Sequence, residues 1–168
     1  MVKVYIGLGS NIGNRVVNIK KACRCLSNIP ACKLKKLSSL YETSPVGPRQ
    51  RNYINAAAIL ETGLAPQELL NELKKIENLM GREKSKKRRA PRIIDLDILF
   101  YGDKVIKTKC LIVPHMELYK RKFVLEPLCE IAPEFVHPVL KMNMKKLLRL
   151  LPPEPCQKVK KLGVDLNA

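Results

Sequence analysis

The chain has 168 residues, 46% of them hydrophobic and 28% charged, with 32 Lys and Arg against 15 Asp and Glu for a formal net charge of +17. That length suits one domain with a sizeable core, the apolar share excludes disorder throughout, and no apolar run reaches the ~20 residues that a membrane span needs. The charge points to an anionic partner, whether nucleic acid, an acidic membrane surface or a phosphorylated small molecule, and its sign does not choose among them.

The opening MVKVYIGLGSNIGN turns to Gly, Ser and Asn too early for a secretory leader, which suggests a cytoplasmic protein. Residues 2–9 alternate into a first strand, and Val16, Ile19, Cys23 and Leu26 then recur at helical spacing. Between them GLGSNIG places Gly7, Gly9 and Gly13. It is one residue too long for G-x-G-x-x-G, and no acid closes a second strand about 20 residues on, so a glycine turn with an Asn or Ser cap is preferred to a dinucleotide fingerprint.

A second strand is expected within residues 33–43, then a Pro/Gly-rich loop over 44–52 and a strand over 53–62. Pro66 suits the first turn of a helix carrying Leu69, Leu70, Leu73, Ile76 and Met80, with Gly81 as its exit. Residues 82–92 hold seven Lys and Arg against the single acid Glu83, a run expected to stay mobile until an anion collects it. A last core strand follows in PRIIDLDILFYG.

This order, strand–helix–strand–strand–helix–strand, predicts an α+β fold with a ferredoxin-like βαββαβ core, an antiparallel-rich sheet with two helices on one face. An edge hairpin after Tyr101 and short helices around 116–131 and 143–151 would complete a single domain over 1–151, leaving 152–168 as a loose tail. The cysteines at 23, 25, 32, 110, 129 and 156 form no C-x-x-C pair, and with only two histidines they suggest reduced small hydrophobes and no zinc site.

Read at period two, Asp95 and Asp97 share one strand face with Leu99, while Ile94, Leu96, Ile98 and Phe100 take the other. Both acids could simply face water. Their position directly after an arginine-rich run suggests instead a phosphate-and-magnesium site: Mg²⁺ takes carboxylates plus substrate oxygens, and arginine forks hold phosphate. Carboxylates roughly 6.5–7 Å apart along a strand can converge on metals about 4 Å apart. His115 precedes Lys120, Arg121 and Lys122 and is a candidate phosphate contact, whereas His137 has no such company; Tyr53 and Asn55 share a strand face where a flat heterocycle could lie.

Taken in order, YIGLGSNIGNR, YETSPVGP, NYINAAAILET, APQELLNELKKIENLMGR, PRIIDLDILFYG and VPHMELYKRKFVLEPLCEIAPE resemble the 6-hydroxymethyl-7,8-dihydropterin pyrophosphokinase family over about residues 3–135. The resemblance implies pyrophosphoryl transfer from ATP to the pterin hydroxymethyl group, a step in tetrahydrofolate biosynthesis, with two Mg²⁺ held by Asp95 and Asp97. It implies that Arg82 and Arg92 neutralise the phosphates and that Glu77, Ile98, His115 and Arg121 serve ATP. Thr43, Pro45, Val46, Tyr53, Asn55 and Phe123 would form the pterin pocket. The chain departs from the family at Arg89, where a tryptophan is common, and at Lys74, Cys110 and Met116. A monomer with no nucleic-acid or membrane partner is expected; the competing readings are a basic ferredoxin-like RNA-binding module and a degenerate pterin binder without catalysis.

Overall fold

The computed structural model describes residues 1–81, 90–153, 158–164 and 166. Its elements run β1 (Val2–Ser10), α1 (Arg15–Ser27), β2 (Cys32–Leu37), β3 (Tyr41–Thr43), β4 (Tyr53–Thr62), α2 (Pro66–Leu79), β5 (Asp95–Tyr101), β6 (Ile106–Lys107), β7 (Ile112–Val113), α3 (Lys122–Ile131), α4 (Met144–Leu150) and β8 (Val159–Lys161). The main sheet runs β5-β1-β4-β3-β8, with β2 also on β4, and every pairing is antiparallel. This mixed helix and antiparallel-sheet architecture agrees with the expected class, and the strand order is compatible with a ferredoxin-like core.

Local chemistry sets the helix ends. Gly13 takes φ 64, and the Asn14 side chain caps α1 by accepting from Val17 N at 3.2 Å. Pro66 opens α2 and Gly81, at φ 87, lets the chain leave it. Of the three glycines in GLGSNIG, only Gly13 serves a turn; Gly7 and Gly9 lie within β1.

The sheet separates two apolar layers. Val4, Ile6 and Leu8 of β1 and Ile54, Ala58 and Leu60 of β4 pack with α1 and α2. Tyr5 and Ala57 face the other way, onto Leu125, Leu128, Met144 and Leu147 of α3 and α4. Helices therefore cover both faces, where the reading of the core alone placed two on one face.

Three further expectations change. The second strand is two, because β2 and β3 both pair with β4 but break at Ser38–Leu40, where Ser38 Oγ accepts from Ala57 N at 2.8 Å. Phe100 joins the Tyr5 layer: the β1–β5 register slips at Tyr5/Ile6, so Leu99 is an extra residue in β5 and each later side chain changes face. Phe100 then packs edge-on against Tyr5, Phe135 and His137, whose Nδ1 accepts from Val139 and Leu140 N–H groups as a structural residue. Finally, the tail contributes β8, which pairs Thr43 with Val159 and Tyr41 with Lys161. The open edge of β3 offers main-chain partners that need no apolar period in the strand that meets them.

Among the described residues no helix is long and apolar enough to cross a membrane. Cys23, Cys25, Cys32, Cys110 and Cys129 are free thiols, and Cys156 lies outside the described residues.

Candidate active site

On the α3/α4 face Tyr5 is the last side chain that β1 offers before Gly7 and Gly9, and the space left above those glycines is a cleft of about 640 Å³. A Cβ at Gly9 would stand 2.8 Å from Asn55 Oδ1, and one at Gly7 would stand 3.3 Å from Leu99 Cδ2. These two glycines were legible in the sequence only as part of a turn, yet they form the floor.

Across the ladder Gly9 faces Asp95 and Gly7 faces Asp97, so strand alternation sets both carboxylates on the cleft side. Arg92 Nη1 donates to Asp95 Oδ2 at 2.9 Å. Asp97 is pushed up to about 7 by burial, then by the charges of Asp95 and Glu77, with Arg92 and Arg121 pulling the other way.

Thr43, Val46, Tyr53, Asn55 and Phe123 line the cleft. Asn55 Nδ2 donates to Thr43 Oγ1 at 2.6 Å, which fixes the amide so that its oxygen lies over Gly9. Burial raises the Tyr53 phenol above its ordinary range. Ile98, His115 and Arg121 line the cleft too, with Leu70, Lys109 and Leu111, which sequence reasoning did not place at a site. Burial, then the Arg121 charge, lowers the His115 pKa, and His115 Nδ1 is buried with no partner among the described residues. Arg121 pairs with Glu117 at 2.8 Å and sits 5.8 Å from the Phe123 ring centre.

The structure therefore brings together eleven of the residues expected at the site: Thr43, Val46, Tyr53, Asn55, Arg92, Asp95, Asp97, Ile98, His115 and, with Phe123, Arg121 on the α3 side. Pro45 does not line the cleft. Glu77 stands behind the wall, buried, its Oε1 accepting from Leu96 N at 2.8 Å and so holding β5 to α2. Arg82 and Arg89 lie outside the described residues, as does most of the basic run expected to close over the site. Of the departures from the family pattern, Cys110 and Met116 line the cleft and Lys74 does not.

Among the described residues no group of three or more His, Cys, Asp or Glu gathers to hold a metal alone. The chemistry of the Asp95–Asp97 pair fits a hard dication completed by substrate and water oxygens, because both groups are oxygen donors and burial with the neighbouring acids outweighs the Arg92 and Arg121 charges at Asp97.

The model of the 7,8-dihydro-6-hydroxymethylpterin-pyrophosphokinase (HPPK) family matches residues 5–133. The chain is 44% identical over 147 residues to the 2-amino-4-hydroxy-6-hydroxymethyldihydropteridine pyrophosphokinase of Aquifex aeolicus, covering 87% of this chain and 90% of the relative. The enzyme of the same name from Haemophilus influenzae is 42% identical over 139 residues, 82% and 86% of the two chains. A solved HPPK-DHPS in complex with substrates superposes at TM-score 0.68 and 15% identity, covering 88% of this chain and 43% of that one. The Plasmodium falciparum HPPK-DHPS with pteroate gives 0.71 at 18% identity, covering 88% and 42%. This chain spans under half of those longer proteins, and the likeness to them is one of fold. The extent of the family match and the identity to full-length relatives place the chain in the HPPK family of diphosphotransferase enzymes.

Proposed function

We propose that this enzyme transfers the β,γ-pyrophosphoryl group of ATP to the hydroxymethyl oxygen of 6-hydroxymethyl-7,8-dihydropterin in a Mg²⁺-dependent step of tetrahydrofolate biosynthesis. The observation that carries this reading is the Asp95–Asp97 pair with Arg92 in one cleft with the Tyr53 and Phe123 rings, the Asn55 amide and the His115 and Arg121 side chains. In the reaction the pterin oxygen bonds to the β-phosphorus, the bond from that phosphorus to the α,β-bridging oxygen breaks, AMP leaves with that oxygen, and the hydroxyl proton passes to solvent.

Tyr53 and Phe123 offer rings for the pterin, and Asn55, oriented by Thr43, offers a polar edge to it. Ile98 supplies apolar wall for the nucleotide, and His115 and Arg121 supply donors for its phosphates. Arg92, with Arg82, neutralises charge on the group in transit. Two Mg²⁺ held by Asp95 and Asp97 supply, when bound, positive charge against the triphosphate. No nucleophilic side chain is needed, because both substrates meet in one cleft.

An RNA-binding sheet needs an open face on which bases stack, and here α1 and α2 cover one face and α3 and α4 part of the other. The enzyme reading is tested by incubating the chain with ATP, Mg²⁺ and the pterin and following AMP. AMP forms at a rate that depends on the pterin and stops with a chelator; no AMP above background would sink the reading and leave a binder without catalysis. Light scattering at assay concentration should report a monomer.

A further inference from the structure

Asn11 lies just past the end of β1, 2% exposed, and does not line the cleft. Its side chain nevertheless reaches two segments that do. Toward the pterin side, Nδ2 donates to Gln50 Oε1 at 2.8 Å and to Arg51 O at 3.3 Å, both in the loop 44–52 that also carries Val46. Toward the phosphate side, Oδ1 accepts from Arg92 N at 2.7 Å, and Asn11 N donates to Arg92 O at 3.0 Å. One amide thus uses both its donor and its acceptor to join the two walls, and Gln50 and Arg92 both line the cleft.

The loop is also strapped to the start of α1: Arg51 Nη1 donates to Gly13 O at 2.8 Å, and Arg15 Nη1 donates to Asn52 O at 2.8 Å. These bonds hold the outer half of the loop. None of them reaches Arg92, whereas the Asn11 side chain bonds both the loop and Arg92, three residues before the first carboxylate.

We propose that Asn11 is a positioning residue that couples the two substrate pockets, so that ordering Arg92 around the nucleotide also orders Gln50 and the loop beside the pterin, and the reverse. The inference rests on the pyrophosphokinase reading above. Linkage requires the effect to be reciprocal: if the nucleotide raises pterin affinity by some factor, the pterin raises nucleotide affinity by the same factor. The physical basis is geometric. A buried amide that has lost its partner on one side leaves a donor or acceptor unpaired, so the two walls are most stable when both are in place.

The test is calorimetric titration of 6-hydroxymethyl-7,8-dihydropterin into the full chain with and without a nonhydrolysable ATP analogue and Mg²⁺. The wild type should show an affinity ratio in the roughly 5- to 150-fold range of ordinary coupling energies. Asn11→Ala should bring that ratio toward unity and lower kcat on the order of 10- to 100-fold, as loss of a supporting contact does. Gln50→Ala, a change at the cleft rim that leaves the Arg92 arm intact, should lower the ratio in the same direction and decides the matter if Asn11→Ala does not fold. A purely structural Asn11 would lower thermal stability and both affinities while leaving their ratio unmoved. That result, or a wild-type ratio of one, overturns the proposal while AMP formation by the wild type still stands. A wild type that forms no AMP removes the enzyme reading and this inference with it.

Discussion

Asp97 lies directly opposite Gly7 in the β1–β5 ladder, so its nearest cross-strand neighbour on the cleft side has no side chain. Burial is the main cost to its ionised form, and the charges of Asp95 and Glu77 add to it more than Arg92 and Arg121 relieve it. A carboxylate in that position weakens the free protein and gains its partner only with a cation and substrate. Asp97→Asn should therefore raise the melting temperature of the ligand-free enzyme near pH 8, on the order of 1 kcal/mol or ~2–4 °C for a chain of this size. It should at the same time lower AMP formation roughly 10²- to 10³-fold, the loss typical of removing a transition-state charge contact. A melting temperature that falls would mean that the carboxylate stabilises the fold; unimpaired turnover would mean that both acids only face solvent.

Arg92 is paired with Asp95 at 2.9 Å, with both side chains partly exposed, so the ion pair itself adds little to stability. Its importance is to the reaction. Arg92→Ala should leave the melting temperature nearly unchanged and lower kcat by roughly 10²-fold or more. Arg92→Lys should recover only part of the rate, because an ammonium lacks the planar fork that can hold a carboxylate and a phosphate together. Full recovery by lysine would show that a point charge is enough.

Gly9 permits the close approach of Asn55, and its backbone is extended, so alanine fits the strand but not the space above it. The added methyl would stand 2.8 Å from Asn55 Oδ1 and push the amide off its 2.6 Å bond to Thr43. Gly9→Ala should raise the pterin KM by about 10-fold or more, the effect of misplacing a specificity group, with kcat less affected and the KM for ATP near its original value. A change confined to the ATP constants would place Asn55 with the wrong substrate.

Glu130 of α3 gathers the region where β2 gives way to β3. It accepts from Ser39 N at 3.0 Å and Ser39 Oγ at 2.9 Å and from the Tyr41 hydroxyl, and Lys161 of β8 lies 3.6 Å away. Burial pushes its pKa up, but the Tyr41 and Ser39 bonds outweigh this and hold it below its ordinary 4.5. An acid whose folded pKa is depressed stabilises the fold fully above its unfolded value, and that contribution is lost as pH falls through the folded value. Glu130→Gln should cost up to about 1 kcal/mol at pH 7, since solvent screens this exposed residue, and the gap from wild type should narrow below pH 4.5. A gap that widens in acid would reverse the assignment.

Periodicity located the elements that have a strong apolar signal of their own. β1, α1, β4 and α2 repeat apolar residues at the spacing their geometry needs, and Pro66 and Gly81 mark the ends of α2 through local backbone preference. The pair Asp95 and Asp97 was legible for a related reason, since alternation alone sets residues two apart on one face. What escaped was decided between distant segments. Leu99 is extra only relative to β1, so nothing within β5 shows that Phe100 changes layers. β8 has three residues, two of them lysines, and exists because β3 has a free edge. Asn11 looked like a turn residue, and its partners stand 39, 40 and 81 positions away. Pro45 and Glu77 carry the family pattern, yet one lies off the cleft and the other braces β5 from behind.

The glycine floor has a consequence for inhibitors. A compound seated on Gly7 and Gly9 rests on main chain in the middle of a six-stranded sheet, where an added methyl meets Leu99 or Asn55. Escape by substitution there would damage the enzyme together with the inhibitor site. A compound that draws its affinity from Val46, 42% exposed on loop 44–52, has no such protection, because that side chain belongs to a segment that tolerates exchange. Drug resistance selected against the first kind of compound should therefore be rarer and slower to grow than resistance to the second.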